Sequence, residues 1–176
     1  MSILAKIRSS LAAFKKDEKG VAFVEFTVVM GVIAILLPGV WEVTDALMVK
    51  RKVNQAATVL ADLTAQAATI DQTAYDSMAF MTNEIMHPYE NFETRLGVIG
   101  VRVDANRRVS TIWTYGDIDL DDSSLPSALV LANRFYVMSA AEVDYQPIFG
   151  ESVIGTITMR NTAIMSPRLS SSVEEK

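Results

Sequence analysis

Apolar side chains run almost unbroken from Val21 to Trp41, VAFVEFTVVMGVIAILLPGVW, and the stretch carries one charge, Glu25. At about 1.5 Å of helical rise per residue it spans about 32 Å, close to the roughly 30 Å hydrocarbon core of a bilayer. The pattern predicts a transmembrane helix. Pro38 and Gly39 sit near its outer end, where a missing N–H and a flexible neighbour kink or loosen a helix without having to end it. Beyond Trp41 the pattern turns from continuous to periodic. Ala46, Val49, Val53, Ala56, Leu60, Leu63, Ala67 and Ile70 recur at alternating spacings of three and four, a seam that predicts a helix over 42–70. Its small residues suit close packing on the chain's own domain or in an intermolecular coiled coil. The two segments together predict one helix of about 50 residues, anchor and spine in one element.

Asp71 to Tyr89 supports a shorter second helix, with Tyr75, Met78, Met81, Ile85 and Met86 near helical spacing, Asp71 as N-cap and Pro88 as terminator. From Gly97 the period falls to two. Val98, Ile99, Val101 and Val103, a turn at Asp104–Arg107, then Val109, Ile112, Trp113 and Tyr115 read as a β-hairpin. Gly116 to Ser124 reads as a polar loop, and Leu125 to Asn133 as a short helix with Pro126 in its first turn. Arg134–Tyr145 and Val153–Met165 are further β-rich runs. Serine-rich Ser166–Lys176 reads as a loose tail. The fold class expected is α+β: a long N-terminal helix, a short second helix, and an antiparallel head of about four strands over 71–165.

Charge orients this layout. The net charge is −5, yet Met1–Gly20 carries Lys6, Arg8, Lys15, Lys16 and Lys19 against Asp17 and Glu18. A basic leader before an apolar run leaves the N-terminus cytoplasmic and the body outside. Ile3, Leu4, Ile7, Leu11 and Phe14 at helical spacing make the leader a surface-lying amphipathic segment. It is a poor match to a secretory signal, because the apolar run exceeds the usual h-region and no small-x-small site follows. The acidic body argues against nucleic-acid binding, which needs clustered positive charge. The chain has no cysteine, which excludes disulfides, thiol catalysis and cysteine-based zinc sites.

Candidate chemistry is sparse. Asp117, Asp119, Asp121 and Asp122 invite a calcium site, but an EF-hand loop starting at Asp117 needs glycine at its sixth position and glutamate at its twelfth. Asp122 and Ala128 stand there, which favours a solvated loop. The lone histidine, His87, precedes Pro88 at a helix end and suits a surface or capping role. No P-loop, HExxH or nucleophile elbow is present, and no enzymatic activity is expected. Glu25 is the informative residue, because a carboxylate in a membrane helix is costly unless it has a partner or lies near an interface. The macrodipole at a helix start and snorkelling toward the headgroups would account for it. The alternative is a cut after Gly20, giving Val21 an ammonium that neutralises Glu25 of a neighbouring subunit.

Lys19-Gly20 followed by Val-Ala-Phe-Val-Glu25-Phe26 resembles the class III prepilin site of the tight-adherence (Tad, Flp-type) pilus system. In that family cleavage follows glycine and the fifth mature residue is glutamate. Tyrosine usually follows the glutamate in the major pilin; Phe26 is closer to the pseudopilin subset, and the chain is far longer than the major pilin. Lys16 to Gln66 is similar to the TadE-like pattern of a basic residue, the Gly-x-x-x-x-Glu-Phe site, a hydrophobic run and a polar helix. Thr162–Arg168 looks like that family's closing strand. Many relatives carry cysteines in the outer domain, and this chain has none. The resemblance implies a minor pilin or pseudopilin anchored in the bacterial inner membrane with its head in the periplasm. A prepilin peptidase would cut between Gly20 and Val21, and Glu25 and Phe26 would serve recognition and assembly. The implied partners are that peptidase, the major Flp-type pilin, a TadF-like pseudopilin, inner-membrane Tad platform proteins and membrane lipid. A permanent membrane-tethered periplasmic scaffold of the same secretion machinery is the alternative. An anchored hydrolase would need converging polar groups, which the sequence does not show.

Overall fold

The computed structural model describes residues 19–89, 92–149 and 154–176. Apart from Lys19 and Gly20, the expected leader lies outside them, as does Val153 at the start of the last β-rich run. The chain forms two units, Met1–Val43 and Thr44–Lys176. Helix α1, Lys19–Gln66, is continuous and includes Pro38. From Gly20 to Val43 no residue is buried.

In the second unit α1 acquires an inside. Val49, Val53, Ala56, Ala57, Leu60, Ala61, Thr64 and Ala65 are fully buried, so the seam packs on the chain's own head. Ala67 and Ile70 fall past the helix end, with Ile70 in the two-residue strand β1, Thr69–Ile70. Asp71 then caps α2, Gln72–Asn83, its extended backbone letting the carboxylate accept from the Ala74 N–H at 2.8 Å. A 3₁₀ turn, Glu84–Met86, follows, ahead of Pro88.

Strands β2 (Thr94–Val103), β3 (Val109–Gly116), β4 (Arg134–Tyr145) and β5 (Ile157–Met165) form one antiparallel sheet in the order β3-β2-β4-β5. Together with the long helix and the short second helix, this is the α+β, pilin-like layout expected. Pairing of Val98 with Ser139 and of Ile99 with Met138 fixes which side chains face α1, because alternate residues point to opposite faces. Val98, Phe135, Val137, Ala141, Val143 and Trp113 pack with the α1 stripe. Ser139 is fully buried there, and its hydroxyl donates to the Ala57 carbonyl at 2.6 Å. Gly100, opposite Trp113, leaves room for the indole: a Cβ would lie 2.3 Å from the ring.

The opposite face is covered too, and this corrects the polar-loop expectation for Gly116–Ser124. Ile118, Leu120 and Leu125 pack on Ile99, Val101, Tyr136 and Met138, while Asp117, Asp119 and Asp121 between them are exposed. The segment alternates like a strand and serves as the outer cover. Leu125–Asn133 is not the helix expected. Only Ser127–Leu129 turns, as 3₁₀, and Leu125, Leu129 and Val130 pack on the outer face of the sheet.

The C-terminus is the second correction. Ser166–Lys176 is docked, with strand β6, Glu174–Glu175, pairing in parallel with β1. Val173 is buried, and its carbonyl accepts the Trp113 indole N–H at 2.8 Å. The Arg168 N–H donates to the Ala65 carbonyl, and its guanidinium pairs with Asp62 at 2.5 Å. One apolar residue and the orphan carbonyls at the end of α1 are enough to hold the segment. Tyr115 stacks on Tyr75 with ring centroids 5.9 Å apart and donates to Glu175. Tyr75 in turn donates to the Leu96 carbonyl at 3.0 Å.

Removing residues 168–176 should therefore lower head stability by about 2–4 kcal/mol, from one buried valine and several hydrogen bonds. Denaturant melts of the full chain in detergent would show it; an unchanged midpoint would mean that the docked segment adds nothing. Burial, followed by the Asp117 and Asp76 carboxylates, pushes the Tyr75 phenol up to about 12 from 10.0. The folded state thus holds this proton more tightly than the unfolded chain. The resulting stability is complete below pH 10 and is lost as pH rises toward 12. Tyr75→Phe should flatten that part of the pH–stability curve, and a wild-type slope in the variant would assign the loss to another group.

Candidate functional site

The cleavage, assembly and kink residues expected from the sequence, Gly20, Val21, Glu25, Phe26, Pro38 and Gly39, lie on α1 in the first unit. Gly20 is the second residue of the helix, and Val21, Glu25 and Phe26 follow on its first two turns. Val21 is 59% exposed and Phe26 60%. Val21 and Glu25 are separated by one helical turn and share a face. A Cβ on Gly20 would meet nothing within 4 Å, and its backbone is not left-handed; the same holds at Gly39. Glycine in a helix costs about 1 kcal/mol relative to alanine, and nothing in the packing of the described residues requires it at Gly20.

Two polar side chains interrupt the apolar run from Val21 to Val40. Thr27 donates to the Phe23 carbonyl at 2.8 Å, which removes the cost of its hydroxyl in an apolar medium. Glu25 forms no ion pair or hydrogen bond with a described side chain. The structure brings Gly20, Val21, Glu25 and Phe26 onto two adjoining turns. Pro38 and Gly39 stand more than three turns further on and do not join them.

Elsewhere the described part of the first unit is a continuous apolar surface. Its helix is long and apolar enough to cross a membrane, and the most apolar stretch has no buried residue. Soluble monomers rarely expose an apolar area of this extent, so this helix calls for lipid or protein around it.

The head shows a separate constellation at its first residues, missed at the level of sequence. The Asp45 carboxylate accepts from the Tyr89 hydroxyl at 2.8 Å and from the Tyr145 hydroxyl at 3.3 Å. Phe92 packs between the two rings, 6.3 Å from Tyr89 and 5.5 Å from Tyr145. Burial, and then the hydrogen bond to Asp45, hold the Tyr89 phenol above its ordinary range. Residues distant in sequence meet here, so no local motif announces them. The one available signal is an aspartate just past an apolar helix in a chain with several tyrosines.

Other candidates do not converge. The aspartates of 117–122 form no metal-binding group, and none of three or more ligand residues occurs among the described residues. Asp121 instead accepts from the Ser123 and Ser124 hydroxyls, which hold its carboxyl below the usual range. His87 is exposed at the end of the 3₁₀ turn, where its N–H donates to the Glu84 carbonyl. Compared with family models, characterised proteins and solved structures, the chain matches none.

Proposed function

We propose that this chain is a minor pilin or pseudopilin of a tight-adherence pilus, a non-enzymatic subunit that is itself the substrate of a prepilin peptidase. The observation that carries the reading is the first two turns of α1. There Gly20, a glycine that the described fold does not need, stands one residue before Val21 and five before Glu25, a carboxylate without a partner among the described side chains of an apolar helix. A side chain that nothing inside the molecule needs is explained by something outside it. A peptidase that admits only glycine before the scissile bond accounts for Gly20. An ammonium created on Val21 accounts for Glu25, since a buried carboxylate in an apolar bundle requires a cation.

In this reading the inner membrane holds the helix first, with the N-terminus cytoplasmic and the head periplasmic. After the cut, the helix exchanges lipid for the helices of the major Flp-type pilin and a TadF-like pseudopilin, guided by the platform proteins of the Tad machinery. Lipid and a helical bundle are both apolar, so the exchange costs little hydrophobic energy. Pairing of Val21 and Glu25 between subunits then gives the bundle its register.

Co-expression with a prepilin peptidase should shorten the chain by about 2 kDa, the mass of a leader of this length, with Val21 as the new N-terminus by mass spectrometry. Gly20→Leu should abolish the shift. An intact chain in the wild type would overturn the processing claim. Glu25→Ala should leave processing in place and sharply reduce the protein recovered in sheared filaments; recovery at wild-type level would remove the charge pairing. A processed protein found only in membranes would favour the tethered scaffold.

A further inference from the structure

Three segments far apart in the chain meet at one end of the sheet. The turn from β2 to β3 is tied by Asp104, whose carboxylate accepts from the Arg108 N–H at 2.8 Å. The Asp104 carbonyl accepts from the N–H of Arg107 at 3.1 Å and from that of Asn133, just before β4, at 3.3 Å. Ser171 and Ser172 of the docked C-terminal segment complete the wall of a cleft of about 380 Å³, which Arg102, Arg134 and Phe135 also line. Arg102 lies opposite Phe135 across β2 and β4, and its guanidinium sits 5.9 Å from the centre of the Phe135 ring. A cation on an aromatic face is held in place without being neutralised.

The charge at this end runs against the rest of the head. Residues 44–176 carry 17 carboxylates against 11 basic side chains, yet Arg102, Arg107, Arg108 and Arg134 gather here with Asp104 the carboxylate among them. Arg95, Arg160 and Arg168 all have carboxylate partners. Among the described residues, none of the four arginines at this end forms an ion pair, and all four are exposed. Like charges held together repel one another, and a multivalent anion relieves that repulsion.

We propose that this cleft binds a phosphate group, free or repeated along a polyphosphate chain. The proposal is independent of the membrane reading of α1, since all of its residues belong to the head. The guanidinium fork matches phosphate geometry bidentately. The hydroxyls of Ser171 and Ser172 form no hydrogen bond within the described chain, and they supply further donors. A carboxylate brings one charge and two oxygens, whereas a phosphate group brings up to about two charges and three strong acceptor oxygens, the better match to several arginines. The Asp104 carboxylate is engaged by the N–H of its own turn, which leaves the arginine charge in excess.

Calorimetric titration of the full chain in an uncharged detergent tests this, with sodium phosphate or sodium tripolyphosphate injected at an ionic strength held constant by chloride. Saturable binding is expected with phosphate. Arg102→Ala should weaken it about tenfold or more, the loss of a charge-assisted contact, and Ser172→Ala about threefold to fivefold, the loss of a neutral one. Ser172→Ala leaves Arg102 on the Phe135 ring and so reads the cleft even where Arg102→Ala fails to fold. Arg51→Ala, which alters an exposed arginine of α1 outside the cleft, should change nothing. Tripolyphosphate bound more than about tenfold tighter than phosphate, through Arg107 and Arg108, would assign the chain as the source; equal affinities would assign the free ion. The proposal fails if neither anion gives saturable heat, if Arg51→Ala loses as much as Arg102→Ala, or if Arg102→Ala and Ser172→Ala both bind as the wild type does.

Discussion

The head depends on how closely a helix backbone approaches a sheet. Ala56, Ala57, Ala61 and Ala65 form a track of small side chains on the inner face of α1, and Ala141 and Ser139 are small and buried on the central strand. The Ser139 hydroxyl can reach the Ala57 carbonyl at 2.6 Å because both surfaces are thin. A buried hydroxyl without an acceptor costs more than the hydrogen bond returns, so this contact also fixes the register of strand against helix. Tyr145 on Asp45 continues the same alignment one strand-length on. The bulky side chains, Leu60, Phe135 and Trp113, fill the space to either side of the alanine track.

Close approach has a consequence for the rest of the chain. A thin helix–sheet seam buries less apolar area than one lined with leucine, so the sheet needs cover elsewhere. The segment after β3 supplies it on the outer face through Ile118, Leu120 and Leu125. The C-terminal residues supply it at the end of α1 through Val173. Where the outer cover stops, Arg95, Glu142, Asp144 and Arg160 form a cross-strand ion-pair ladder, with Arg95 directly opposite Glu142 and Glu142 opposite Arg160. Such partly exposed pairs add little stability, but they keep that part of the sheet soluble.

Repeating patterns made the helices and strands legible in the sequence. The three-four seam identified the buried side of α1, and the period of two from Val98 to Val103 with the β-rich composition of Arg134–Tyr145 identified the sheet. Asp71 announced the second helix. Two misreadings share one cause. Around Asp117–Asp122 attention to the charges hid the Ile118 and Leu120 between them. In Ser166–Lys176 the serines and glutamates hid Val173. In both places one or two apolar side chains find a site made by residues far away, and composition averaged over the segment reports the solvent-facing majority. Asp45, Tyr89 and Tyr145 were illegible for the same reason of distance.

The first two turns of α1 differ from all of this, because what stands out there is the lack of an internal cause. Gly100 is explained by the Trp113 ring, and Gly116 by a left-handed backbone and the Leu96 carbonyl 2.2 Å from where its Cβ would lie. Among the described residues Gly20 has neither a neighbour nor a conformation to justify it, in a helix that alanine would stabilise. Thr27 satisfies its hydroxyl within the helix, and Glu25 has nothing comparable among the described side chains. Apolar side chains that face outward on every side of the same helix complete the set. Gly31 and Gly39 of the same helix are equally open, so Gly20 is set apart only by its place, one residue before Val21 and five before Glu25, the place that the proposed cut and charge pairing use. Under the proposed function, one partner that reads a glycine, supplies a positive charge and accepts an apolar helix would account for the glycine, the carboxylate and the outward apolar surface together.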